Sequence, residues 1–228
     1  MRVERSMVTD QQAGTGADHS PPALPRVTAF VTRERGPERE LLIVRPATTK
    51  PHLPQMTVGL DEAPSEAAIR LIQELADSLA VTLRRRFGVI GEALQPDTRL
   101  LLRPTLLRTA PSEEATIMRF TLERGMRVRL TEMRGDFTRV VYEEYALHEN
   151  ELAIATRRAG WVHAGVLARQ VEYHLFHLVV PPPRSDGSTA KLRPPGAPQP
   201  MWVPLYRVPT LSRTHAHWLE HIRPFLSE

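Results

Sequence analysis

Residues 53–75 read LPQMTVGLDEAPSEAAIRLIQEL, and this stretch decides the fold. Pro64 suits the first turn of a helix, where a backbone N–H has no helical partner and a fixed φ is an advantage. From there Ala68, Leu71, Ile72, Leu75, Leu79 and Leu83 share one face at about 100° per residue, and Glu66, Arg70, Gln73, Glu74 and Asp77 lie opposite. No other segment is so strongly periodic, and it predicts an amphipathic helix over about 64–83. Upstream, 26–33 (RVTAFVTR) and 41–45 (LLIVR) are apolar and partly β-branched, with Gly36 and Pro37 between them, which predicts a hairpin leading towards the helix.

Working outward, 99–108, 115–122, 127–131 and 137–147 read as strands, with turns at Gly125 and Gly135. Residues 171–180 (VEYHLFHLVV) read as a central strand and 201–207 as a short one. A closing helix is predicted over about 212–223, with Ser212 as N-cap and Pro224 as its stop. Residues 1–25 are rich in Gly, Ser, Gln and Pro and read as a flexible N-terminal tail. Residues 181–200 read as a Pro-rich loop, and 84–159 as an elaboration of the middle of the chain. Hairpins with two helices argue for an α+β fold: one domain over 26–228, a three-layer α/β/α sandwich around a mixed sheet.

Laid on residues 53–79 without gaps, the sequence resembles the Nudix hydrolase family, whose box runs G-x5-E-x7-R-E-U-x-E-E-x-G-U (U aliphatic), often after Leu-Pro-Gly. Leu53 and Pro54 fall on the lead-in, Glu62 on the first Glu, Arg70 on the Arg and Glu74 on the first Glu of the pair. Met56, Leu71, Leu75 and Asp77 depart from the box Gly, the Glu after Arg, the second paired Glu and the later Gly. MWVPLYRVPTL at 201–211 is similar to a late W-x-P-L segment of the family.

The resemblance implies cleavage of a nucleotide-type diphosphate, a nucleoside diphosphate linked to another group, with Mg²⁺ or Mn²⁺. It implies catalytic roles for Glu62, Arg70 and Glu74, with metal held by Glu74, Glu62 and a carboxylate from outside the box such as Glu144. Glu144 stands beside Glu143 in VYEEY, where a polar pair at a strand edge is the plainer reading. Mg²⁺ needs several oxygen ligands, and a helix supplies them at i, i+3 and i+4. At 71, 74 and 75 only Glu74 is acidic, and the two leucines would stand as an apolar wall beside the metal. Slow turnover is therefore the expectation. The alternative is a non-catalytic Nudix-fold module that binds a nucleotide or other ligand and regulates.

Composition sets the outer limits. The chain has 228 residues, 41% hydrophobic and 25% charged, which is ordinary for a globular protein. Its formal net charge is +4, too little to argue for nucleic acid. It has no cysteine, which excludes disulfides, zinc–thiolate sites, iron–sulfur clusters and thiol catalysis. No apolar run nears the roughly 18–20 residues of a membrane-spanning helix. Residues 1–16 lack the apolar core of a secretory signal, so a cytoplasmic protein is expected. A small nucleotide-like partner is expected and no membrane, with a homodimer left open.

Further candidates are read with alternatives open. Arg33 and Arg45 end two strands, and Lys50 follows in a loop; they serve either substrate phosphates or solubility. Tyr173, Phe176 and Trp202 stack a base or fill the core. His215, His217 and His221 form H-x-H-x3-H, which on a helix sets His217 and His221 one turn apart, either as transition-metal ligands or as part of a surface helix. His174 and His177 fall on opposite faces of their strand.

Overall fold

The computed structural model describes residues 21–46, 49–76, 79–148, 151–181 and 198–227. The strands are β1 (Ala23–Arg35), β2 (Glu38–Arg45), β3 (Gln55–Thr57), β4 (Thr82–Ala93), β5 (Thr98–Leu101), β6 (Thr105–Arg108), β7 (Ile117–Leu122), β8 (Arg127–Arg134), β9 (Phe137–His148), β10 (Glu151–His163), β11 (Leu167–Ala168), β12 (Gln170–Val179) and β13 (Gln199–Pro204). The two α-helices are α1 (Pro64–Leu75) and α2 (Arg213–Leu226).

The first sheet is mixed and runs β13-β2-β1-β12-β4, with β3 added on β1. β1 lies parallel to β12 from Ala23↔Gln170 to Thr32↔Val179. Its other edge is shared: β2 pairs with Thr32 to Arg35 and β3 with Arg26 to Thr28, both antiparallel. Alternation along these strands sends side chains to two helices. Phe30, Leu41, Ile43 and Leu175 pack with Trp218, Leu219, Ile222 and Leu226 of α2. Val27, Ala29, Val31, Leu42, Phe176 and Leu178 pack with Ala67, Ala68, Leu71 and Ile72 of α1. The result is the expected α/β/α layering, with the sheet sandwiched between the two helices.

The middle of the chain builds a second sheet of seven strands, β11-β5-β8-β9-β10-β6-β7, every pair antiparallel. Leu101, Leu107, Leu122, Val128, Val140 and Val162 form its core. Leu24 and Val171 of the first sheet meet Leu100 and Ala168 of the second, so the sheets share a small joint core.

Several sequence boundaries move. The box helix stops at Leu75 rather than near 83, and Thr82 opens β4. Leu83 is accordingly exposed on a strand, while Leu79 still packs on the α1 core. Four strands were missed: the short β3 and β11, then β4, where the run Arg84, Arg85, Arg86 masks its pairing with β12, and β10, which pairs with β9 along nearly its whole length. The 99–108 strand is two strands, β5 and β6. β1 begins at Ala23, inside the stretch read as tail, because Leu24 is buried at the joint core. Residues 1–20 and 182–197, most of the tail and of the Pro-rich loop, lie outside the described residues; β13 already starts at Gln199. α2 runs through Pro224 to Leu226, where Leu226 is fully buried and Arg39 Nη1 donates to its carbonyl at 2.5 Å. Ser212 is the N-cap residue but makes no side-chain cap bond. No helix among the described residues is long and apolar enough to cross a membrane.

Ile72 is fully buried where α1 meets the sheet, and truncation leaves a hole that rigid neighbours fill poorly. Ile72→Ala is expected to lower the unfolding free energy by about 2–5 kcal/mol in urea titration. Leu60→Ala, at a residue 60% exposed, should change it by less than about 0.5 kcal/mol.

Candidate functional site

The box loop is tied to its helix by one guanidinium. Arg70 Nε donates to Glu62 Oε1 at 2.7 Å, and its Nη2 donates to Glu62 Oε2 at 2.7 Å. Its remaining arm, Nη1, donates to Glu74 Oε1 at 2.9 Å, one helical turn on. Glu62 Oε2 also accepts the Gly59 backbone N–H at 2.8 Å. A Cβ at Gly59 would stand 3.0 Å from that same Oε2, so any side chain there would push against the Glu62 carboxylate. The charge-assisted bond to Arg70, with the Gly59 bond adding, holds the Glu62 carboxyl below its ordinary value against the opposing effect of burial. Glu66 completes the helix start by accepting the Ala63 N–H at 3.1 Å.

The second sheet buttresses this loop. Arg124, in the turn between β7 and β8, donates through Nε to the Val58 carbonyl at 2.9 Å and through Nη1 to the Leu102 carbonyl. Gly125 beside it has φ +82°, and a Cβ there would come within 2.9 Å of Thr57 Oγ1. Sequence reading took Gly125 for a turn and did not find Arg124, because the contact spans 66 positions.

The side chains do not fit Mg²⁺ or Mn²⁺. Both oxygens of Glu62 are engaged by Arg70, and one of them by Gly59 as well. One oxygen of Glu74 is held by Arg70. Leu71 is buried in the α1 core and Leu75 packs against it, so the leucines are not a wall beside a metal but the helix's inward stripe. Glu144 is exposed on β9 of the other sheet and pairs in register with Thr156. Its neighbour Glu143 is occupied by Arg157 at 3.4 Å and by the Tyr145 hydroxyl at 2.9 Å. The structure thus brings Glu62, Arg70 and Glu74 together and leaves Glu144 apart. Among the described residues, the group that does gather three ligand atoms is His217, Glu220 and His221.

The three cations assigned to substrate part ways. Lys50 lines a cleft of about 270 Å³ between the first sheet and the start of α2, with His52, Gln55, Glu92, Tyr173, Thr214, His215 and Trp218. Arg33 instead donates to Glu40 at 2.7 Å and lies 4.2 Å over the Trp202 ring. Arg45 ends β2 exposed, outside the cleft lining. Of the three aromatics, Tyr173 lines the cleft, Phe176 is buried in the α1 core, and Trp202 packs on that core under Arg33. Glu62, Arg70 and Glu74 do not line the cleft.

Hydrogen bonds set the tautomers of the two cleft histidines. The Leu53 N–H donates to His215 Nδ1 at 3.2 Å, so that nitrogen is unprotonated and Nε2 carries the proton. His52 Nδ1 lies 2.8 Å from the Leu53 carbonyl, which can only accept, so His52 holds its proton on Nδ1 and offers Nε2 as an acceptor. The rings stand 5.9 Å apart, and Tyr173 and Trp218 meet at 4.9 Å with their planes tilted by 59°. Burial, with His52 and Arg26 adding, pushes the His215 imidazole down to about 4. Lys50, Tyr173 and His215 of the cleft were singled out in the sequence. The rest come from the loop before β3, from β3, from β4 and from α2, which carry no shared local pattern.

No family model matches the chain, and no curated protein matches it. Solved structures do. One is the Nudix domain of Shewanella oneidensis NrtR complexed with ADP ribose, at 11% identity over 94% of this chain and 95% of that one, TM-score 0.43. Another is a C. elegans Ap4A hydrolase, at 11% identity over 90% and 97%, TM-score 0.40. A third is a UDP-X diphosphatase, at 10% identity over 93% and 67%, TM-score 0.43. These are distant likenesses of fold, and the function is argued from this chain's own residues.

Removing the guanidinium leaves Glu62 partly buried and unpaired, so Arg70→Ala should cost about 1–3 kcal/mol in chemical denaturation. Glu74→Ala, at a side chain 58% exposed, should cost less than about 1 kcal/mol. His215 binds its proton less readily folded than unfolded. Its contribution to stability is complete above its ordinary value of 6.5 and is lost as pH falls towards about 4. His215→Asn should therefore flatten the fall in melting temperature between these pH values. His177, also pushed down to about 4 by burial, retains part of the slope.

Proposed function

We propose that this chain is a Nudix-type binding or sensing module that holds a nucleotide-type ligand in the cleft between its sheet and α2, without metal-dependent hydrolysis. The observation that carries this reading is the engagement of Glu62 and Glu74 by Arg70, which makes the box a structural clamp. With Leu71 and Leu75 turned into the core, α1 offers no set of carboxylates to a hard cation.

The cleft has the properties such a ligand needs. Tyr173 and Trp218, whose rings meet at 4.9 Å and 59°, provide aromatic surface for a base. His52 and His215 line the cleft with backbone bonds fixing their Nδ1 atoms, leaving each Nε2 free of those bonds. Lys50 supplies a mobile point charge for a diphosphate at the rim. A cavity of about 270 Å³ is a little smaller than most small-molecule pockets, which suits a base seated inside with its phosphates running outward.

The test is thermal stabilisation by ADP-ribose and UDP-glucose, measured with Mg²⁺ and again with EDTA. The expected result is a rise in melting temperature that EDTA leaves intact and that Trp218→Leu or Lys50→Ala reduces, since a ligand at 100 times its Kd adds about 2.7 kcal/mol. Stabilisation that requires Mg²⁺, or diphosphate cleavage that Glu74→Ala abolishes, overturns the reading in favour of the hydrolase.

A further inference from the structure

α2 carries a cluster that the cleft does not use. His217, Glu220 and His221 are all exposed, and one ligand atom from each lies within 4.8 Å of the others. The spacing i, i+3, i+4 explains this, because those positions share one face of a helix. His215, two residues earlier, is turned inward, bonded to Leu53 and packed on Trp218.

The rings are arranged as ligands. His221 Nδ1 lies 2.9 Å from the His217 carbonyl oxygen. A carbonyl can only accept, so this nitrogen bears the proton and Nε2, across the ring, keeps its lone pair. Metal-ligating histidines are held in this way, with the second nitrogen donating to a carbonyl or carboxylate. The His217 and His221 centroids are 4.4 Å apart, at 62°. Two ligands about 2.1 Å from one ion stand roughly 3–4 Å apart, so small side-chain rotations close the set.

Two imidazoles and one carboxylate suit borderline ions of the Zn²⁺, Ni²⁺ and Cu²⁺ type, whereas Mg²⁺ and Ca²⁺ prefer oxygen throughout. The geometry points to a transition-metal site on the outer face of α2, formed by His217, Glu220 and His221, with water completing the coordination. Such an ion bridges one turn of the helix whose inner face supplies Thr214, His215 and Trp218 to the cleft. Its binding stabilises the native state, since the unfolded chain does not hold the three ligands together. The site stands whether or not the cleft binds a nucleotide.

The test is calorimetric titration of the full, tag-free chain with ZnCl2 or NiCl2, alongside melting curves with and without the ion. The expected result is one equivalent bound, a rise in melting temperature, and no response to MgCl2. His217→Ala and His221→Ala should each weaken binding by roughly tenfold or more, since even the outer partners of metal ligands are worth 10–100-fold. Because all three side chains are exposed, the metal-free variants should melt with the parent. Unchanged binding in the His217→Ala, His221→Ala double variant overturns the assignment, as does an equal response to MgCl2.

Discussion

The Arg70 guanidinium closes a circuit on which the local structure depends. It joins a carboxylate of the loop before α1 to a carboxylate one turn further along α1, and the loop carboxylate in turn holds Gly59. A planar fork with five donors can do this; a lysine ammonium, a point charge, cannot hold both oxygens of Glu62 in plane and reach Glu74 as well. The loop so fixed continues directly from β3, and β3 pairs with Arg26 to Thr28 of β1. Arg124 grips the same loop from the second sheet at the Val58 carbonyl. The clamp is thus the point where α1, the first sheet and the second sheet are held in one arrangement.

The leucines explain why the clamp need not be a catalyst. On α1 the stripe Ala67, Ala68, Leu71, Ile72 faces the sheet, and Leu75 packs at its end. A leucine at 71 or 75 gains burial, at about 25 cal/mol per Å² of apolar area, where a charged carboxylate would gain none. The helix is anchored more firmly by the same residues that leave positions 71 and 75 without a carboxylate. The counter-charge to Glu62 comes from Arg70, at bonding distance on both oxygens.

How far the sequence was legible follows from how local each signal is. Pro64, the apolar stripe and the Glu62/Arg70/Glu74 spacing lie within a dozen or so residues, and the helix and its charge network follow from them. The helix end was misplaced because Leu79 and Leu83 continue its period by coincidence; Leu83 in fact sits on β4 opposite Leu178. β4 itself was hidden because its three consecutive arginines face solvent, on an edge strand whose order comes from β12. Arg33 was read as a substrate cation from its place at a strand end, but its partner Glu40 stands across the hairpin and is 5% exposed. Such a pairing depends on hairpin register, which composition does not encode.

The cleft was the least legible part because its members are joined only by topology. Gln55 and Met56 are adjacent in β3, yet alternation sends Met56 to the α1 core and Gln55 to the α2 side. One residue of slip in β3 would exchange them, so the pairing of β3 with β1 decides which face meets a ligand. The same logic applies to His215. Its Nδ1 is consumed by the Leu53 N–H, leaving the opposite nitrogen as the donor, and Leu53 is placed by the chain that leads into the box. The box therefore acts on the cleft without touching it. Its clamp fixes the loop beyond β3, that register orients Gln55, and the Leu53 backbone sets the proton positions of both cleft histidines. The hydrogen-bonding nitrogens of the cleft histidines are thus oriented by backbone bonds rather than by other side chains.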